Sequence, residues 1–146
     1  MAANTLDHIP FLKHLGVRVE EAGHAGAVLV LDTRPEHMNS LAMAHGGVLM
    51  TLLDVCMAQA GRARARHEGA EDHGVITIEM KSTFMLPAAG ERLYAWGNCL
   101  HRTANMCFCE GEVRDDKGRV LSRGSGTFKY VKPRFAQSPR REAQSE

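Results

Sequence analysis

Residues 46–66 read GGVLMTLLDVCMAQAGRARAR. The stretch holds no proline and little β-branching, and it is dense in Leu, Met, Val and Ala, so it reads as a helix from Gly46 to Arg66. Val48, Leu49, Leu52, Leu53, Val55, Cys56, Met57 and Ala60 fall nearly all round its axis. That distribution describes a core helix enclosed by other structure rather than one lying on a surface. Arg62, Arg64 and Arg66 stand toward its C-terminal end, where cations meet the negative pole of the helix, and Gly69 is a plausible stop. These arginines need no ligand to explain them.

On either side the pattern changes. Before the helix, Ile9, Leu12 and Leu15 recur at helical spacing after Asp7, with Gly16 ending a short N-terminal helix. Val17 to Glu21 and Ala25 to Asp32 read as two antiparallel strands joined through Ala22-Gly23-His24. The segment Arg34 to His45 keeps no period. After Gly74 come four strand-like runs: Val75 to Phe84, Arg92 to Leu100, Met106 to Arg114 and Val120 to Val131. They are separated by turn signals at 87–90, at 101–105 and at Asp115-Asp-Lys-Gly118. The expected class is α+β, a single antiparallel six-stranded sheet wrapped around one long central helix. From Lys132 onward apolar periodicity disappears, so residues 1–131 form the expected domain and 132–146 an expected flexible tail.

The composition bounds the partners. The chain has 146 residues with 44% apolar and 24% charged, enough for one globular domain. Lys+Arg number 18 and Asp+Glu 17, a formal charge of +1, which supplies no overall basic field for nucleic acid. The longest apolar stretch, Val48 to Ala60, is interrupted by Thr51, Asp54 and Gln59 and falls short of the roughly 18 clean residues of a membrane span. No signal-peptide run opens the sequence, so a cytoplasmic protein is expected. Cys56, Cys99, Cys107 and Cys109 lack paired zinc spacings and read as reduced core thiols. The eight histidines are scattered without a metal-binding pair, so no metal is expected.

Chemistry concentrates between His37 and Asp54. Gly46 and Gly47 open the helix, where the first-turn N–H groups have no intrahelical acceptor and can receive a carbonyl oxygen as it becomes an oxyanion. Equally, His45-Gly46-Gly47 serves as a tight loop into a helix. Asp54 tips the balance, because a carboxylate flanked by Leu52, Leu53, Val55 and Cys56 is costly to enclose without a task, and no cation stands at i±3 or i±4. Asp54 lies eight residues beyond Gly46, about 12 Å along the axis, too far to act on a group held at its own helix start. Two antiparallel helices across a two-fold axis would bring each Asp54 to the other's Gly46. Asn39, Thr77 and His45 are weaker candidates, each with an ordinary alternative as turn residue, β-former or loop anchor. No G-x-S-x-G elbow, P-loop or dinucleotide motif occurs.

At Asn39, His45-Gly46-Gly47, Asp54, Thr77, Phe84-Met-Leu-Pro87 and Ser125-Gly-Thr-Phe128 the sequence resembles the hotdog-fold acyl-CoA thioesterases. The branch it is most similar to is the PaaI-like one of the 4-hydroxybenzoyl-CoA thioesterase superfamily. The resemblance spans about Phe11 to Val131. It implies hydrolysis of an acyl-CoA, with coenzyme A as part of the substrate and no separate cofactor, by homodimers that join two sheets and often pair into tetramers. It also implies that the Gly46 N–H polarises the thioester carbonyl while Asp54 of the facing subunit activates water or attacks directly. Asn39 would orient thioester or water, and Thr77 would hold the water or the carboxylate. Coenzyme A would run past Gly47, along Phe84, Pro87 and Ala88, and over the turn His101-Arg102-Thr103-Ala104, with Arg102 on a phosphate. One departure is Ala42, where related sequences often carry Gly. Hotdog hydratases resemble a pattern with an acidic residue where this chain has Thr51. The other readings are a non-catalytic acyl-CoA-binding module and a plain structural dimer. Met43, Met50, Met57 and Met85 are candidates for an adaptable apolar pocket or for ordinary core.

Overall fold

A computed structural model describes residues 6–71 and 74–132; the expected tail beyond Lys132 and His73 lie outside them. The elements run α1 (Pro10–Leu15), β1 (Arg18–Gly23), β2 (Gly26–Asp32), a 3-10 turn (Pro35–His37), α2 (Gly46–His67), β3 (Gly74–Phe84), β4 (Arg92–Arg102), β5 (Met106–Asp115) and β6 (Val120–Val131). The six strands form one sheet in the order β1-β2-β4-β5-β6-β3, antiparallel at every pairing. Chain order and sheet order part company after β2. α2 carries the chain across the sheet so that β3 begins at the far edge, beside β6, while β4 returns to pair with β2.

The elements have local causes. Pro10 occupies the first turn of α1, where its missing N–H costs nothing, and Gly16 ends the helix in the left-handed region at φ 84° with its N–H donating to the Leu12 carbonyl. The β1–β2 hairpin closes later than expected, with the first strand ending two residues on and the second starting one residue on: Gly23 pairs with Gly26, so His24 and Ala25 make the turn. The Asp115 to Gly118 turn forms as read. Asp115, only 3% exposed, accepts from the Lys117 and Arg119 N–H groups and from the Arg119 guanidinium.

The core lies between α2 and the concave face of the sheet. Leu49, Leu52, Leu53, Cys56 and Met57 of the helix pack on Leu29, Leu31, Leu93, Ala95, Val113, Leu121 and Phe128. Seating is close because Gly97, Gly111 and Gly124 stand opposite one another on β4, β5 and β6. A Cβ on Gly97 would lie 2.1 Å from the Cys56 carbonyl oxygen.

The helix is not enclosed all round, as its composition suggested. Thr51, Asp54, Val55, Ala58 and Arg62 form a stripe left half-buried, covered in part by α1. Of the four methionines considered for a pocket, Met57 is core, Met50 and Met85 are exposed, and none lines the cleft on this stripe.

Candidate active site

α1, α2 and β3 enclose a cleft of about 320 Å³ along the half-buried stripe. Ile9, Phe11, Leu12, Val55, Ala58 and Val75 supply apolar wall, and Thr51, Asp54, Gln59, Arg62 and Thr77 supply its polar groups. Asp54 therefore stands at a cleft rather than sealed in packing. Thr77 Oγ1 donates to Asp54 Oδ1 at 2.6 Å. A bulge between Thr77 and Glu79 interrupts β3 at this point and aims Thr77 at the helix. Asp54 Oδ2 has no hydrogen-bond partner among the described residues.

The helix start is built by the loop before it. His37, 1% exposed, accepts from the Arg34 N–H at Nδ1 and lies 2.8 Å from the Leu15 carbonyl at Nε2; its own carbonyl accepts from the His45 N–H. That buried link between α1 and the loop carried no assigned role in the sequence reading. Asn39 Oδ1 accepts from the Leu41 and Met43 N–H groups, a turn role that leaves its amide N–H₂ uncommitted among the described residues. Ala42 sits inside this turn at φ 55°, the left-handed region that favours glycine.

His45 caps α2: its Nδ1 accepts from the Gly47 N–H at 2.9 Å, and its carbonyl accepts from the Val48 and Leu49 N–H groups. Of the opening N–H groups, Gly46 alone has no acceptor among the described residues. The Phe84 ring packs beside it, 3.8 Å from where a Cβ on Gly46 would stand. Ala88 is buried and its carbonyl accepts from the Ala44 N–H, tying the 85–91 segment to the same loop. Gly46, Gly47, His45, Asn39, Phe84, Pro87 and Ala88 thus gather at one end of α2.

The 101–104 turn does not join them. His101 and Arg102 still belong to β4, and Thr103 and Ala104 make the turn, at the other end of α2 beside Glu68. Gly46 and Glu68 are separated by about 33 Å of helix. Arg102 is already engaged: it pairs with Glu68 at 2.7 Å and lies over the Tyr130 ring at 5.3 Å. Arg64 reaches the same carboxylate, and the two arginines hold Glu68 well down, at about 2. The three nearby thiols, Cys99, Cys107 and Cys109, are buried and free, as is Cys56.

Gln59, Phe11 of α1 and Ile9 just before it were not singled out as site residues in the sequence. Gln59 was legible there only as a polar interruption of an apolar run. Two further hollows open around Trp96 and the β1–β2 hairpin, and neither includes Asp54 or Gly46. Among the described residues no helix is long and apolar enough to cross a membrane, and no cluster of metal-ligating side chains occurs.

Known proteins share this fold. The family described as Thioesterase superfamily matches residues 41–122, which include Asp54, Gly46, Thr77 and the Phe84 to Ala88 segment. A Salmonella typhimurium relative named medium/long-chain acyl-CoA thioesterase YigI is 24% identical over 132 residues, covering 83% of this chain and 85% of its own. A solved structure from Mycobacterium tuberculosis, named provisionally as an esterase, is 26% identical with a TM-score of 0.75, covering 85% of this chain and 98% of that one. Thioesterase HI1161 of Haemophilus influenzae shares the fold at a TM-score of 0.78 and 16% identity, covering 88% and 87%. The sheet order, the single helix across it and the family match agree, and the chain belongs to the thioesterase superfamily with the hotdog fold.

Proposed function

We propose that this thioesterase hydrolyses acyl-CoA esters to the carboxylic acid and coenzyme A, at sites shared between the two protomers of a homodimer. The observation that carries the reading is the pairing of two uncommitted groups. Among the described residues, one Asp54 oxygen is fixed by Thr77 and the other is left open at the cleft, while Gly46 is the one helix-start N–H without an acceptor. Within one chain they stand eight residues apart on a rigid helix, so a second copy must bring them together. The name of the Salmonella relative supports coenzyme A esters as the substrate class.

The surface supports a partner. β3 is an edge strand of 11 residues whose outer side is unpaired, and Ile76 and Ile78 on it are 53% and 54% exposed. Phe84, Met85 and Leu86 extend this apolar surface toward the helix start. A long exposed apolar edge is unusual in a monomer, and pairing with the β3 of a second copy joins the sheets and covers the open stripe of α2. Trp96, Leu100 and Phe108, exposed on β4 and β5, leave a further apolar surface for a second dimer. Four free thiols fit a reducing cytoplasm.

In this mechanism the Gly46 N–H donates a hydrogen bond to the thioester oxygen as negative charge grows on it, worth about 3–4 kcal/mol by comparison with other oxyanion donors. Asp54 either takes a proton from attacking water or itself attacks to give a mixed anhydride that water then opens. In both routes the C–S bond breaks and coenzyme A departs as the thiol. Asn39 orients carbonyl or water through its free amide. The phosphate role for Arg102 gains no support from a side chain already paired with Glu68.

The test is thiol release from a panel of short, medium, long and aromatic acyl-CoA esters by wild type and Asp54→Asn. Turnover of at least one ester, lost by a factor of about 10³ in Asp54→Asn, is expected. Full activity of Asp54→Asn on every ester the wild type cleaves refutes the assignment, and tight binding without release points instead to an acyl-CoA-binding module.

A further inference from the structure

Three of the four thiols meet at one place. Cys99 on β4 stands directly opposite Cys109 on β5, and Cys107 precedes Cys109 by two residues on the same face of that strand. α2 crosses them at Gly61, where a Cβ would collide with Cys107 Sγ and lie 3.6 Å from Cys109 Sγ. Tyr130 Oη donates to the Gly61 carbonyl at 2.8 Å and Arg64 Nη1 to the Cys99 carbonyl at 3.3 Å, so helix and strands are fastened around the sulfurs. Cys99 keeps the most exposure, 5%, against 2% for Cys109 and 0% for Cys107 and Cys56.

Register decides which sulfurs can join. Residues directly opposite in an antiparallel pair have Cα atoms about 4.5 or 5.5 Å apart, and both separations lie within the roughly 4.4–6.8 Å that a disulfide spans. Cys107 and Cys109, two apart on one strand, stand about 6–7 Å apart, at the edge of that range. Charge decides which sulfur reacts. The Cys107 and Cys109 thiols, donating to Cys99, and after them the Arg64 guanidinium hold Cys99 below the ordinary thiol range. Contact with Cys107 and Cys99 pushes Cys109 up, and burial pushes Cys56 up. The thiolate is the form that attacks an oxidant.

We propose that Cys99 and Cys109 form a peroxide-reactive modification site, in which Cys99 takes the oxidation and Cys109 closes it as a cross-strand disulfide beside Gly61. Cys99 sulfur attacks one oxygen of hydrogen peroxide, the O–O bond breaks, and the departing hydroxide takes the Cys99 proton as water, leaving a sulfenic acid. Cys109 sulfur then attacks the Cys99 sulfur, the S–O bond breaks, and the Cys109 proton leaves with the hydroxide as a second water. Two thiols lose two hydrogens, and one peroxide becomes two waters. The nearby resolving thiol keeps Cys99 from the irreversible sulfinic and sulfonic acids.

The experiment treats the reduced, folded protein with hydrogen peroxide, quenches it, alkylates the remaining thiols in denaturant and maps the peptides by mass spectrometry. Two thiols resist alkylation, Cys99 and Cys109 are found linked, dithiothreitol restores both, and Cys99 is consumed about tenfold or more faster than Cys56. Cys109→Ser forms no such link and accumulates a Cys99 sulfenic acid that dimedone traps. Cys99→Ser forms no disulfide and leaves its three thiols open to alkylation. Four alkylatable thiols in treated wild type, a link between any other pair, or a Cys99–Cys109 link that appears only in urea overturns the proposal. The wild-type map decides by itself if either variant does not fold.

Discussion

Thr77 on β3 donates to Asp54 on α2 at 2.6 Å, joining residues 23 apart in sequence across the cleft. The bond selects one orientation of the carboxylate and leaves the other oxygen available. Thr77→Ala should lower kcat about tenfold, the worth of one such hydrogen bond, with little change in KM. Thr77→Ser, which keeps the hydroxyl, should recover most of it. Steady-state kinetics on any accepted ester checks this, and a Thr77→Ser as slow as Thr77→Ala would mean that the methyl packing, not the bond, matters.

Ala42 holds φ 55° in the turn that Asn39 organises. The left-handed conformation costs a residue with a Cβ about 1–2 kcal/mol, partly offset by the greater chain entropy of an unfolded glycine. Ala42→Gly should therefore stabilise the protein by about 0.5–1 kcal/mol in urea unfolding. Destabilisation would show that the Ala42 methyl makes contacts that outweigh the strain.

Gly97 lies under the backbone of α2, where a Cβ would meet the Cys56 carbonyl oxygen at 2.1 Å and the Met57 nitrogen at 2.9 Å. Both obstacles are main chain, so the helix itself must move. Gly97→Ala should cost about 3 kcal/mol, the upper part of the usual range for overpacking, and should slow turnover because Asp54 rides on the displaced helix. An unchanged urea midpoint would contradict the close seating of helix on sheet.

Glu68 is held at about 2 by Arg102 first and Arg64 second, against an ordinary 4.5. Between those values the unfolded chain binds the proton and the folded chain does not, so stability rises with pH there. The contribution is complete above about pH 4.5 and disappears as pH falls through 2. The wild-type advantage over Glu68→Gln in urea midpoint should follow that window, and a difference that persisted unchanged to pH 2 would assign it to packing rather than charge.

Much of this was legible in the chain because the signals were local. Strand boundaries from Gly74 onward follow alternation and turn residues, and the ends of α2 follow a glycine pair and a basic last turn. The hairpin after β1 was placed too early, since Gly23, His24 and Gly26 all suit a turn and only the pairing with β2 decides among them. The row of Gly97, Gly111 and Gly124 could not be read, because it exists only once three strands are in register. The open stripe of α2 was misread as enclosed for a related reason: apolar residues facing a cleft or a partner look the same in sequence as core. Asp54 and Gly46 were legible as chemistry out of place, a charge in an apolar helix and bare backbone at its start. The pairing of Arg102 with Glu68 could not be read, because the two lie 34 residues apart.

The shared site can be tested by mixing two damaged proteins. Gly46 is the first residue of α2, and His45 before it has φ −59° and ψ 141°, a conformation that a following proline accepts. A Cβ there meets only the Phe84 ring, at 3.8 Å. Gly46→Pro therefore removes one N–H and little else, and should lower turnover by about 10²-fold or more while leaving the fold intact. If each site takes Gly46 from one protomer and Asp54 from the other, a dimer of one Gly46→Pro chain and one Asp54→Asn chain has one site with both lesions and one with neither. Unfolding and refolding an equal mixture should then restore roughly a quarter of wild-type activity, since half of the dimers are mixed and each has one sound site of two. No recovery, with mixed dimers demonstrated by differential tagging, would place Gly46 and Asp54 in separate functions and remove the basis for a site built between protomers.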